Sequence, residues 1–121
     1  MSDDAAKTGA DFEHGEREAI DAGFVWLECQ GEAYRTYHEV AGDGDVPMVL
    51  LHTASADSRQ YRHLMNDEDV LERFTLYTFD MPWHGQTFPP LDAEWWREDY
   101  RLTTEFYREF VMTFVEAMGL D

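Results

Sequence analysis

The chain has 121 residues, of which 44% are hydrophobic and 15% aromatic. That is about one small domain's worth, and the apolar content excludes a wholly disordered chain. It carries 26 acidic against 9 basic residues, a formal net charge of −17, and such a field argues against nucleic acid and anionic membrane surfaces as partners.

Cys29 is the single cysteine, so neither an internal disulfide nor a cysteine-rich zinc site is available, and a reducing compartment is expected. No apolar run reaches the roughly 18 residues of a membrane-spanning helix. The opening "MSDDAAKTGADFEHGERE" lacks the basic-then-apolar order of a secretory leader. A cytoplasmic protein is the expectation. The scattered carboxylates and the lone lysine, Lys7, fit a halophilic protein or an ordinary acidic one.

Residues 1–22 read as a polar leader, and 23–121 as one structured unit. "GFVWLECQG" (23–31) and "EAYRTYHEVAG" (32–42) are strand-like. In the second, Tyr34, Thr36 and His38 alternate with Arg35, Tyr37 and Glu39. Gln30-Gly31-Glu32 supplies a tight turn, so the two form an antiparallel hairpin. "PMVLLH" (47–52) and "FTLYTFD" (74–80) are apolar without alternation, as in parallel strands buried on both faces. Between them Tyr61, Leu64 and Met65 fit a short helix capped by Asp57 or Ser58. Strand, helix and strand make a βαβ unit. From Trp96 onward, Tyr100, Thr103, Tyr107, Phe110, Val111, Phe114 and Met118 recur in steps of three and four. That spacing predicts one long amphipathic helix, capped by Asp92 and ended at Gly119.

Two loops carry the candidate chemistry. His52-Thr53-Ala54-Ser55 follows the first apolar strand. Small residues at the carboxyl edge of a parallel sheet let backbone N–H groups approach a ligand oxygen. A compact turn with no ligand is the plain alternative. Asp80-Met81-Pro82-Trp83-His84-Gly85-Gln86-Thr87 follows the second apolar strand.

In this order, the two segments resemble the α/β-hydrolase family. Its third strand typically ends in His-Gly-x-Gly, and its fourth runs into Asp-x-Pro-Gly-His-Gly-x-Ser. The resemblance covers roughly residues 23–121. It implies an α/β fold: an antiparallel hairpin, then parallel strands with crossover helices, forming the N-terminal part of the domain. It implies that the Ala54 N–H serves as a catalytic oxyanion donor. His52, Thr53, Ser55 and Trp83 would line the substrate site, while Asp80, His84 and Gly85 would hold the second loop. No cofactor and no metal are implied.

The departures are specific. Thr53 and Ser55 replace the glycines of the first loop, so any left-handed backbone there is strained. Trp83 replaces the glycine before His84, and Thr87 replaces a serine. The three serines, Ser2, Ser55 and Ser58, stand in no Gly-x-Ser-x-Gly frame. The family's nucleophile elbow would follow Asp121, and its acid and catalytic histidine later still. The resemblance therefore implies a hydrolase of a small ester or related carbonyl compound, with a serine nucleophile, represented by a segment that lacks the triad and is inactive alone. The competing reading is a non-catalytic α/β binding module, complete at 121 residues. A metal site on Asp80 and His84 lacks the convergent ligands it would need.

Overall fold

The computed structural model describes residues 13–90, 92–97 and 99–120. Most of the expected leader, 1–12, lies outside them. Four strands form one mixed sheet: β1 (Ile20–Cys29), β2 (Glu32–Ala41), β3 (Val46–Leu50) and β4 (Phe74–Phe79), in the order β1-β2-β4-β3. Helix α1 (Glu68–Arg73) lies between β3 and β4, and α2 (Thr104–Ala117) follows.

The hairpin forms where it was expected, with Cys29 opposite Glu32 and Ile20 opposite Ala41. Gln30 and Gly31 both take positive φ, 52° and 82°, as a two-residue type I′ turn requires. Strand β1 begins at Ile20, three residues inside the polar leader, because Ile20 packs beside Ala41 and Leu76. Strand β2 then pairs antiparallel with β4, His38 opposite Phe79 and Ala41 opposite Leu76. Strands β3 and β4 pair in parallel, from Val46–Phe74 to Leu50–Thr78.

Two expectations for β3 need correction. The strand ends at Leu50, so Leu51 and His52 belong to the loop. It is also only half-buried, with Val46 and Pro47 exposed. Among the described residues β3 has β4 as its one neighbour, and an edge position tolerates Pro47, which cannot donate to a ladder.

Alternating side chains of the sheet feed two cores. Phe79 and Tyr77 face Leu27, Tyr34, Met81, Phe110 and Phe114, so α2 covers this face. Leu76 turns the other way, to Ala41, Met65, Leu64, Val70 and Leu71. Phe110 and Phe114 are both fully buried, and each contributes about 1.5–3 kcal/mol by burial. Phe79 and Phe114 rings lie 4.3 Å apart.

The expected single helix after Ser58 is three short pieces: 3-10 turns at Ser58–Tyr61 and Leu64–Asn66, then α1. Asp67 interrupts it, because its carboxylate accepts from Asp69 N–H and Val70 N–H and starts a new helix. The expected long helix is also shorter. Trp95–Arg97 is a separate 3-10 turn, and α2 is capped by Thr103, whose Oγ1 accepts from Phe106 N–H at 3.0 Å. Asp92 is not its cap. The C-terminal end matches expectation: Gly119 has φ 74°, its N–H donates to Glu116 O, and Leu120 N–H donates to Val115 O. That is a Schellman ending.

Candidate active site

The loops after β3 and β4 leave the same edge of the sheet. In the first, Ala56 N–H donates to Thr53 O at 3.1 Å, and Ser55 takes φ 64°. Positive φ at the third residue of a four-residue turn is the type II pattern, which favours glycine there. Ser55 therefore holds a glycine's conformation. The turn is anchored on both sides. Thr53 N–H and Oγ1–H donate to Gln60 Oε1, at 2.8 and 3.2 Å. Tyr61 O–H donates to Leu51 O at 2.6 Å. Asp57 accepts from Arg59 N–H, Nε and Nη2 at 2.7–2.9 Å. Bonding by Arg59 pulls the Asp57 carboxyl down to about 2, against the opposing effect of desolvation. Between these anchors, Ala54 and Ser55 are exposed residues whose N–H groups donate to none of the described residues.

His52 joins the two loops. Its Nε2 lies 3.0 Å from Met81 N–H, which can only donate, so Nε2 accepts. The ring proton then sits on Nδ1, which donates to Thr53 O at 2.9 Å. Both nitrogens are spent on backbone, and the ring is buried. His52, expected in the substrate site, here ties the two loops together through its ring nitrogens. Thr53 is likewise occupied by Gln60.

The second loop is organised around Asp80, which is buried. Its Oδ1 accepts from Ser58 N–H at 2.7 Å and Ser58 Oγ–H at 2.5 Å, and its Oδ2 accepts from Gln86 N–H at 2.9 Å. Gly85 has φ 51°, and an added Cβ would lie 2.2 Å from Asp80 Oδ2. Trp83 takes φ 69°, again a residue in a conformation that favours glycine. His84 Nδ1 donates to Pro82 O at 3.0 Å. Thr87, fully buried, accepts from Tyr37 N–H through Oγ1 at 2.9 Å; a serine hydroxyl could do the same. Rings link the loops: His52 lies 4.9 Å from His84, His84 lies 5.8 Å from Tyr100, and Trp83 lies 5.4 Å from Tyr100.

One cluster was not legible beforehand. Glu39, 1% exposed, accepts from Tyr37 O–H and Arg62 Nη2, both at 2.6 Å. Burial, then the Glu39 hydrogen bond, pushes the Tyr37 hydroxyl well above its usual range. Strand alternation placed Glu39 on the face opposite Tyr34 but could not say that α1's side of the sheet buries it. Among the described residues, no group of three or more His, Cys, Asp or Glu is placed to hold a metal ion. No helix among them is long and apolar enough to cross a membrane.

No family model matches the sequence, and no curated protein matches it. Solved structures do. The Cif epoxide hydrolase from Acinetobacter nosocomialis is similar over 87% of this chain and 28% of its own, at 16% identity and TM-score 0.63. A haloalkane dehalogenase from Agrobacterium tumefaciens is similar over 85% of this chain and 30% of its own, at 19% identity and TM-score 0.60. An epoxide hydrolase from Vigna radiata is similar over 88% of this chain and 31% of its own, at 18% identity and TM-score 0.62. The chain thus spans under a third of these proteins' length, and it has the fold of the N-terminal part of the α/β-hydrolase proteins.

Proposed function

With that fold as premise, we propose that these residues form the oxyanion-loop part of a hydrolase acting on a small ester or related carbonyl compound. The observation that carries it is the pair of free N–H groups at Ala54 and Ser55, on a turn whose every flank is tied down. A fixed donor aimed at a developing charge stabilises a transition state because it needs no reorganisation during the reaction. In the reaction, a serine outside these residues attacks the carbonyl carbon, and a histidine takes its proton. The carbonyl electron pair moves onto oxygen, where Ala54 N–H and an N–H beside the nucleophile receive it. The electron pair returns, the bond to the alcohol breaks and the histidine gives the alcohol its proton; water then attacks the acyl-serine by the same steps, releasing the acid and the free serine. His52 and Asp80 act through the backbone, by holding the two loops in register. The cytoplasm is the compartment that the single cysteine favours. Epoxide and haloalkane chemistry, named for the similar structures, would use the same edge of the sheet with another nucleophile.

Ala54→Pro tests the role of the donor. Position two of a type II turn favours proline, so the variant removes the N–H while keeping the turn. In an enzyme containing these residues, kcat should fall by the loss of one oxyanion donor, about 2.7–4 kcal/mol. An unchanged kcat in the folded variant would put the oxyanion site elsewhere. The 121-residue chain itself should hydrolyse p-nitrophenyl acetate no faster than a histidine-matched blank. Turnover abolished by Ser58→Ala would instead place the nucleophile inside it.

A further inference from the structure

Beyond Trp83, the chain builds a second recess, about 530 Å³, lined by Trp83, Phe88, Pro89, Pro90, Trp95 and Trp96, with Asp92 and Glu94. Three of its rings are unusually open to solvent: Phe88 is 67% exposed, Trp95 51% and Trp96 64%. Exposed aromatics crowded into one recess mark a binding surface more than a core. The Trp95 and Trp96 rings, both lining the recess, pack edge to face, 5.8 Å apart at 87° to each other. Trp83, held in its left-handed conformation, adds another ring on the side toward the oxyanion loop.

We propose that this recess is an aromatic cage for an organic cation, a methylated or alkylated ammonium group. Ring faces carry the negative part of the aromatic quadrupole, and several rings around one site favour a large, weakly hydrated cation over water. The carboxylates decide the sign of the ligand. Asp92 and Glu94 line the recess, and no lysine or arginine does so among the described residues. Glu94 pairs with Arg97, whose Nη1 lies 3.6 Å from Glu94 Oε1, with both side chains more than half exposed. Such a pair is weak and leaves the Glu94 charge available. The net charge of −17 enriches small cations near the surface. A neutral apolar ligand would gain from the rings but not from the carboxylates, and an anion would be repelled by them. Resting on the hydrolase reading above, the cation is the recognised end of the substrate, because Trp83 joins the recess to the two loops through Tyr100 and His84.

The test compares choline with its neutral isostere 3,3-dimethyl-1-butanol, by NMR saturation transfer to the methyl protons and by calorimetry. Choline should bind about tenfold tighter than the isostere. Trp96→Leu and Glu94→Gln, both at exposed positions that leave the fold intact, should each weaken choline by about two- to tenfold. Glu94→Gln should leave the isostere unchanged. Equal binding of the two probes would overturn the cage in favour of a plain apolar pocket, and absence of choline binding would overturn it outright. Neither result touches the Ala54→Pro test, which reads kcat. Loss of the hydrolase reading, in turn, would leave choline binding in place.

Discussion

His52 Nε2 accepts from Met81 N–H across 29 positions of the chain, at 3.0 Å. Together with the Ser58–Asp80 bonds, this bond holds the two loops in register, because the ring's other nitrogen is held by Thr53 O in the turn that carries Ala54. Replacing the ring with Phe leaves a buried N–H at Met81 with no acceptor. Such orphans cost about 1–3 kcal/mol. His52→Phe should therefore lower the urea midpoint by that equivalent, while His52→Gln, which can still accept, should lose less. Equal losses in the two variants would mean that ring packing, not the hydrogen bond, matters.

Ser55 and Gly85 should respond to substitution with opposite signs. Ser55 sits at φ 64° on an exposed turn, and its side chain hydrogen-bonds to none of the described residues. The left-handed conformation costs a non-glycine residue about 1–2 kcal/mol, partly offset by the greater freedom of an unfolded glycine. Ser55→Gly should stabilise the chain by up to about 1 kcal/mol. Gly85→Ala adds a Cβ that would meet Asp80 Oδ2 at 2.2 Å and Asp57 Cβ at 2.8 Å, at φ 51°. It should cost more than about 2 kcal/mol, since both backbone and buried carboxylate must shift. Chemical unfolding of the two variants measures both signs, and a destabilised Ser55→Gly would remove strain from the account of the first loop.

His38 makes stability fall in mild acid. Burial lowers its pKa, against weaker opposing effects from Gly23 and Glu39. Its Nδ1 is buried with no partner among the described residues, and its ring lies 6.2 Å from that of Phe114. The unfolded chain takes up the proton near its ordinary value of about 6.5, before the folded chain does. Stability is thus full above that pH and declines as pH falls toward the folded pKa. Urea midpoints measured between about pH 7.5 and 5 should drop for the parent chain and drop less for His38→Phe. Parallel slopes would assign the acid sensitivity to other groups.

The parts that sequence reading recovered are those where local chemistry decides the backbone. Gln30-Gly31 makes the hairpin turn, and Gly119 ends α2; each asks only for a left-handed residue in a polar setting. Thr103 shows the limit. Apolar spacing ran smoothly from Trp96 through Met118, yet Thr103 Oγ1 caps Phe106 N–H and begins the helix late. A side-chain cap competes with helix continuation at a cost that spacing does not register. The loops themselves were located, but Ser55 and Trp83 hold glycine conformations without being glycine. Both turns are flanked by side-chain anchors that spacing does not register: Gln60 holds Thr53 N–H on one loop, and Asp80 holds Gln86 N–H on the other. The bond between His52 and Met81 was not legible for the same reason, since Met81 N–H reaches the ring only after both strands pair.

The free edge of β3 should make the isolated chain associate as salt rises. Met48, Val49 and Leu50 are half-buried, and Val46 is exposed. Among the described residues, β3 pairs with β4 alone, so its other edge presents unpaired N–H and C=O groups. Open apolar edges recruit strands from other chains. An apolar cleft of about 470 Å³, lined by Leu51, Leu102, Tyr107, Val111 and Met112, adds uncovered apolar surface to the same molecule. In the hydrolase reading, the nucleophile strand would pair with this edge. Pro47 blunts the edge only at its start. Opposing association is the charge of −17, which repels over about 30 Å at 0.01 M salt but only about 8 Å at 0.15 M. Light scattering should therefore report a monomer at low salt and growing species at physiological salt, with hydrophobic-dye binding at both. A monomer at both salt levels, melting in one sharp transition and binding no dye, would mean that the edge and the cleft are covered in solution by the chain's own residues.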